Sequence, residues 1–318
     1  MKFSIYYTRK LIPSILCLHV LVGFVSCSTS VKVSNPKLIG LKNSYCTPNV
    51  SYQLAADLWN DSYSVDLSET KLNSHDQLMC KILGISEPVK KLINRSDRKA
   101  DSLSLERLAL LQSITGRIRI AQTELQAIAA ELDCEGERAD MAGAYLENLD
   151  DKRNRNYTVA SVIVASLTTV ATVIVSGDAA QTAIGVGGGL VSAGLGAVTI
   201  KPKGHQLEFF HERNLLRSIW MGTENNTDYP GFVWKMLHEK QFSNKGDITL
   251  SQSIKNRWTE FEFDGEPTGK KQDLIFGNGG IYRAEDFQTR SSLINQMQST
   301  IRSINQDLMS LVVYIESL

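Results

Sequence analysis

The sequence has no surplus of charge. Its 318 residues include 34 basic and 34 acidic side chains, and no local stretch is basic enough to restore the electrostatic footprint that nucleic-acid binders use. Nucleic acid is thereby excluded as principal partner. Compositional extremes are missing too. With 42% apolar residues and 21% charged ones, the chain is neither disordered, nor collagen-like, nor a disulfide framework.

Catalytic signatures are equally scarce. The run Gly265-Glu266-Pro267-Thr268-Gly269-Lys270-Lys271 is one residue short of a phosphate loop between its glycines and has no Ser or Thr after the lysine, so it reads as a turn. Gly277-Asn278-Gly279-Gly280 reads as turn residues before a helix. His211-Glu212 opens like a zinc-protease helix, but position 215 is Leu, so the second histidine is missing. His75, His205 and His238 have no cysteine or carboxylate at ligand spacing, and no Gly-x-Ser-x-Gly elbow is present. No catalytic residue, metal ligand or cofactor is assigned, and the expectation is a protein that is not an enzyme.

The N-terminus is more informative. Lys2, Arg9 and Lys10 precede an apolar run from Leu11 to Val25 that is short for a spanning helix and is broken by Pro13 and His19, the pattern of a secretory signal over residues 1–26. The signal ends in Phe24-Val25-Ser26-Cys27, which resembles a bacterial lipobox, with Phe24 where Leu is usual. The resemblance implies that Cys27 carries the lipid. Ser28-Thr29-Ser30 suits a tether, and no acidic residue follows Cys27, so the expected location is the outer membrane, facing the periplasm. Removing the signal takes away three basic and no acidic residues from 34 of each, leaving a net charge of about −3.

Export also frames the cysteines. Beside Cys27 there remain Cys46, Cys80 and Cys134, an odd number where disulfides form. The expected pair is Cys46 with Cys80, which leaves Cys134 inside a helix as an inert apolar residue or an interchain link.

Helix periodicity dominates the remainder of the chain. From Leu111 through Ile114, Ile118, Ala121 and Leu125 to Leu149 apolar residues recur at alternating steps of three and four, interrupted by Glu135. A matching seam runs from Ile294 through Met297, Ile301 and Ile304 to Leu318, with Asp286 or Ser291 to cap it. Such seams predict long helices packed along helices, by default on each other and antiparallel, and Glu135 is expected to meet a cation or water. Between the seams, Leu207–Met221 reads as an amphipathic helix, Pro230 opens a second helix through Phe242, and Phe261–Ile281 reads as loop or short strand.

The most distinctive stretch is Tyr157–Ile200, 44 residues whose single charge, Asp178, sits beside Gly177 at the midpoint. Each half is long enough to span a bilayer's hydrocarbon core as a helix. The second arm places Gly185, Gly189, Ala193 and Ala197 four apart, a row of small residues that lets another helix approach closely, and the first arm offers Ser161, Ala165 and Thr169 at the same spacing. Basic residues flank both ends, Lys152, Arg153 and Arg155 before and Lys201 and Lys203 after, which puts the ends on one side of a membrane. Three readings stay open for this stretch: a membrane-inserting helical hairpin, the buried core of a bundle or oligomer, and a β-hairpin.

The expected fold is therefore mostly α, with long antiparallel coiled-coil-like helices and a mid-chain apolar, glycine-rich helical hairpin. Its parts are a signal peptide (1–26), a lipid-anchored tether with a short helix (27–74), a helical stalk (75–156), the hairpin (157–200), a helical and irregular region (201–285) and a C-terminal coiled-coil helix (286–318). In arrangement alone this resembles helical pore-forming toxins of the haemolysin E type, which implies a soluble helical form whose apolar tongue inserts on assembly. The expected role is a lipid-anchored envelope protein that presents the hairpin for membrane insertion or oligomer assembly, as a pore, channel or membrane-bridging element. Its expected partners are membrane lipid and either further copies of itself or other envelope proteins. The alternative is a periplasmic scaffold or binding lipoprotein with the hairpin buried.

Overall fold

The computed structural model describes residues 32–33, 45–59, 65–96, 105–200, 204–222, 227–243 and 246–318. Cys27 and the rest of the signal and lipobox region lie outside them, as do Lys201, Lys203 and the side chain of Ala197. The fold is mostly α, as the seams predict. In chain order the elements are β1 (Lys32–Val33), a 3-10 helix (Tyr52–Trp59), α1 (Ser74–Leu83), α2 (Ser86–Ser96), α3 (Leu105–Ile174), α4 (Asp178–Ile200), β2 (Gln206–Phe210), α5 (Leu215–Met221), α6 (Gly231–His238), α7 (Leu250–Arg257), a π-helical turn (Trp258–Glu262), α8 (Gly269–Phe276), β3 (Gly279–Tyr282) and α9 (Ala284–Ser317).

Two compact units result. The smaller joins the N-terminal strand to Ala142–Glu208, and the larger joins Pro36–Met141 to Phe209–Leu318. Helix α3 gives its residues up to Met141 to the larger unit and the remainder to the smaller. It is 70 residues long and continues unbroken through 156–157, because no proline or capping sequence interrupts it there; stalk and first hairpin arm are one helix. The stretch before it holds two short helices. Asn73 caps α1 by accepting from Asp76 N at 2.7 Å, and Gly84, at φ +65°, ends it with amide bonds back to the last turn.

In the larger unit the two seams meet. Seam positions of α3 such as Ile114, Leu125 and Leu132 are at most 1% exposed, as are Met297, Ile301 and Leu308 of α9. The helices run antiparallel: Arg290 reaches Glu135 at 3.5 Å, Gln298 donates to Ala129 O at 3.1 Å and to Asp133 at 2.7 Å, and Arg302 approaches Asp133 at 3.9 Å. Glu135 meets two cations, Arg138 at 2.9 Å and Arg290 at 3.5 Å. Asp286 works from inside the first turn of α9, where its carboxylate accepts from Arg283 N at 2.9 Å.

The disulfide differs from expectation. Cys46 is bonded to Cys134, with Cα atoms 5.7 Å apart, and Cys80 is the free, buried thiol. The reason lies in how Cys46–Trp59 runs along α3 in the opposite sense. Tyr52 Oη donates to Glu131 at 2.9 Å and Trp59 Nε1 to Glu124 at 2.8 Å, which brings Cys46 level with the next turns of the helix, at Cys134. Cys80 packs inside α1, where burial and then the nearby Asp76 push its pKa up to about 12.

Three further local expectations are corrected. Leu207–Phe210 belongs to β2 rather than to a helix, and Leu207 and Phe209 point inward while Glu208 and Phe210 point out, the period-two alternation of a strand; the helix begins only at Leu215. Pro230 does open α6, which ends at His238 before a 3-10 turn at Lys240–Phe242. Phe261–Ile281, expected as loop or short strand, holds a full helix, α8, before β3. Phe276 of α8 stacks on Trp220 at 4.4 Å, so tertiary burial supports a helix that the glycines on either side obscure in sequence.

His211 is buried beside these elements. Tyr282 Oη donates to Leu274 O at 2.6 Å and therefore accepts from His211 Nε2 at 2.9 Å. Burial, then the Arg290, Arg138 and Arg217 guanidinium groups, hold the imidazole far below its ordinary pKa and keep it neutral.

Candidate functional site

The stretch singled out by composition forms a helical hairpin. Its first arm is the end of α3 through Ile174, its turn is Val175–Gly177, and its second arm is α4. A β-hairpin is excluded by this geometry. At about 1.5 Å per residue, the 23 residues of α4 cover roughly 34 Å, enough for a hydrocarbon core about 30 Å thick. Among the described residues, α3 is the one helix long and apolar enough, by length and composition, to cross a bilayer. Gly177 makes the turn at φ +149°, where a side chain would be strained, and its carbonyl accepts the amides of Ala180 and Gln181 at 3.0 Å.

Both arms display apolar surface. Leu167 is 64% exposed, Val173 80% and Ile174 74% on the first arm, and Val186 55% on the second. A run of such residues on two neighbouring helices is far more than the scattered apolar exposure of an ordinary soluble surface. The polar side chains among them are turned inward on the backbone. Ser166, Thr168 and Thr169 donate to the carbonyls four residues back at 2.8, 2.8 and 3.0 Å, and Ser161 and Thr172 to those three back, each at 2.8 Å. Hydroxyl groups bonded in this way ask nothing of water, which is what an apolar surrounding demands.

The arms meet through small residues, but not along the expected row. A Cβ on Gly188 would lie 1.8 Å from Thr168 Oγ1, and one on Gly185 would lie 3.8 Å from Thr172 Cγ2. Ser192 Oγ donates to Ser161 O at 3.1 Å. Gly189 has nothing within 4 Å of where a Cβ would stand, and Ala193, Ala165 and Thr169 are exposed. Of the expected residues, the structure brings together Gly185 and Ser161 with the opposite arm. The contact row is Gly185, Gly188 and Ser192 against Ser161, Thr168 and Thr172. A strict step of four drifts about 40° around a helix of 3.6 residues per turn, whereas alternating steps of three and four stay on one face. That spacing, already used for the long seams, is the signal that identifies Gly188 and Ser192.

The base of the hairpin is closed by polar contacts within the same unit. Asp150, before the first arm, accepts from His205 N at 2.9 Å and from the His205 ring at 2.6 Å, and pairs with Arg153 at 3.2 Å. Sequence spacing misses the His205 contact because 55 residues separate its members. Just beyond, β1 pairs in parallel with β2, Lys32 opposite Gln206 and Val33 opposite Leu207, and Lys32 meets Glu208 at 2.5 Å. Lys32–Val33 is thus held beside the chain that leaves the hairpin.

Comparison with protein-family models, with curated proteins and with solved structures finds no match.

Proposed function

We propose that the protein is a lipid-anchored bacterial envelope protein, held by Cys27 in the outer membrane and facing the periplasm, whose helices present residues 157–200 for insertion into that membrane and for assembly with further copies as a pore or channel. The observation that carries this reading is the pair of arms with exposed apolar faces and internally bonded hydroxyls, none of the apolar window of α3 being buried. Such a surface is unfavourable in water, and lipid or a second copy covers it. The role is non-enzymatic.

The pairing of β1 with β2 supports insertion beside the anchor over bridging between two membranes. Lys32 lies five residues after Cys27, a reach of at most about 18 Å of extended chain, and its strand neighbour Gln206 comes just after the base of the hairpin. The acyl chains and the hairpin then enter the same bilayer. Asp178 at the turn suits a tip that reaches the far aqueous face.

The test is membrane partition of the full chain carrying Cys27→Ser, exported behind a cleavable signal and washed with alkali. Retention in the pellet, and its loss on adding Leu167→Asp and Val170→Asp, is the expected result. Release of the Cys27→Ser protein as a soluble, monodisperse species overturns the proposal and favours a scaffold or binding lipoprotein that touches lipid only through Cys27.

A further inference from the structure

The larger unit holds a cleft that the hairpin reading does not use. Two adjoining hollows of about 490 and 540 Å³ lie along the polar side of α9, and both are lined by Arg257 and Ser299. Both are open to solvent, grooves in the surface rather than enclosed cavities. The first hollow sets Phe242, Ile248 and Leu250 opposite the hydroxyl groups of Ser299, Thr300 and Ser303. The second is lined by amides and hydroxyls, among them Gln288, Ser292, Asn295 and Gln296.

Arg257 stands where the hollows join, and three departures from regular structure gather around it. Its Nη2 donates to Thr300 Oγ1 at 2.8 Å, but its Nε is buried without a hydrogen-bond partner among the described residues, and a buried charged donor left unmatched is costly. It ends α7 where the helix widens into the π-turn Trp258–Glu262, closed by Phe263 N to Trp258 O at 3.2 Å; such π-turns are found frequently at functional sites. Glu262 in that turn accepts from Gln296 Nε2 at 2.6 Å and from Ser292 Oγ, both on the cleft wall. Asp264, two residues on, has φ +50°, the one non-glycine residue with positive φ among the described residues, and strain of this kind collects at ligand sites.

The lining selects a chemistry. Among the described residues Arg257 is its one cation, with Asp140 in one hollow and Asp307 in the other, so a phosphate, which concentrates two charges on one group, meets more repulsion than attraction, whereas carboxylates spaced a disaccharide apart bring only one charge to Arg257. A purely apolar ligand would strand the amides and hydroxyls. A sugar ring has an apolar C–H face and a rim of hydroxyl groups that both donate and accept, which matches apolar side chains facing Ser, Thr, Asn and Gln, and a single carboxylate on it would pair with the guanidinium, which among the described residues bonds only the neutral Thr300 hydroxyl.

We infer that the cleft beside α9 binds a glycan, with an acidic sugar seated at Arg257 and neighbouring units in the two hollows. For an exported bacterial protein the glycan of that chemistry is a cell-wall strand stripped of its peptides, in which N-acetylglucosamine alternates with an amino sugar whose lactyl carboxylate is free. This choice rests on the export reading and not on membrane insertion by the hairpin. The site also lies in the unit that carries the two seams, so its test is read separately.

The test titrates the full chain in detergent, by calorimetry, with peptide-free cell-wall glycan strands and with neutral chitohexaose. The expected result is binding of the strands at least tenfold tighter than of chitohexaose. Arg257→Gln removes that difference, and Ser299→Trp, which fills the junction of the hollows from an exposed position, abolishes binding of both sugars. Circular dichroism checks folding, and if Arg257→Gln does not fold, Ser299→Trp and Ser303→Trp carry the test. Absence of strand binding, equal binding of chitohexaose, or binding unchanged in the filled variants overturns the inference. Export is checked apart from this by fractionating cells.

Discussion

Cys46 and Cys134 are joined across 88 residues of chain, and the bond fastens the segment Cys46–Trp59 to one side of α3. Glu124 and Glu131, seven residues apart on that side, take hydrogen bonds from Trp59 and Tyr52, and Arg138, seven further, lies over the Phe209 ring at 4.1 Å. Helix α3 thus has two working faces: the apolar seam that meets α9, and a polar stripe at heptad spacing that holds the N-terminal segment and β2.

Loss of this bond is expected to destabilise the larger unit. Joining residues so far apart restricts the unfolded chain, and removing such a bond costs about 2–4 kcal/mol. Denaturant unfolding of the native protein should shift to lower midpoint under reducing conditions, while a Cys46→Ser/Cys134→Ser variant should unfold at that lower midpoint with or without reductant. Cys80, buried and with its pKa raised to about 12, should resist alkylation until the protein unfolds. Native labelling of Cys80 or Cys134 instead would contradict the pairing.

Much of the architecture was legible because it repeats. Steps of three and four fixed both seams, and their matching lengths implied the antiparallel pair that Gln298 and Asp133 now document. Composition alone located the hairpin. The parts that were not legible depend on contacts far apart in sequence. Nothing near Cys46 says that it runs beside Cys134, because the pairing depends on Tyr52 and Trp59 finding Glu131 and Glu124. The strand at Gln206–Phe210 is short, and its apolar pattern fits a helix start equally well until β1 pairs with it. Arg257 has no local pattern at all; the cleft exists because α7 and α9 happen to converge there.

The hairpin contact can be separated from general helix propensity by two neighbouring glycines. Gly188→Ala places a methyl group 2.6 Å from Thr168 Cβ, and the β-branched threonine has little freedom to move aside, so the arms must part at a cost of about 1–3 kcal/mol. Gly189→Ala meets nothing within 4 Å and should stabilise α4 by up to about 1 kcal/mol through helix propensity. Thermal unfolding of the full chain in detergent should therefore move in opposite directions for the two variants. Equal effects would mean that the arms do not pack through Gly188.

Glu124 offers a test by pH. Burial raises its pKa above the ordinary 4.5, outweighing the hydrogen bonds from Trp59 and Phe232 N, which lower it. A carboxyl whose pKa is raised on folding contributes stability that is fully present below the unfolded value and is lost as pH rises through the folded one. Glu124→Gln cannot ionise and lacks that loss. The stability of the variant relative to the native protein should therefore improve as pH rises from about 4 to about 7, whatever its absolute value, as measured by urea unfolding at each pH. A relative stability that falls over the same range would show that the carboxylate form is the one favoured by folding.

Glu135 looks in sequence like a defect in an apolar seam, and filling it with leucine would ordinarily be expected to strengthen helix packing. The structure predicts the reverse. Arg138 and Arg290 are each 1% exposed, and Glu135 is the carboxylate that meets both, at 2.9 and 3.5 Å. Arg138 also donates to Phe210 O at 3.3 Å, and Arg290 to Ile275 O at 3.2 Å and to Asn214 Oδ1 at 3.3 Å, so neither guanidinium can swing out to water without abandoning the backbone of β2 or α8. Glu135→Leu removes the carboxylate that both buried guanidinium groups meet, a change that costs about 3–5 kcal/mol when a buried pair loses one partner. Replacing all three residues by apolar ones removes the charges together and should recover much of that loss. Urea unfolding of Glu135→Leu beside the triple variant Glu135→Leu/Arg138→Met/Arg290→Leu decides the matter: a single variant as stable as the native protein would mean that the seam, and not the arginine pair, sets the requirement at this position.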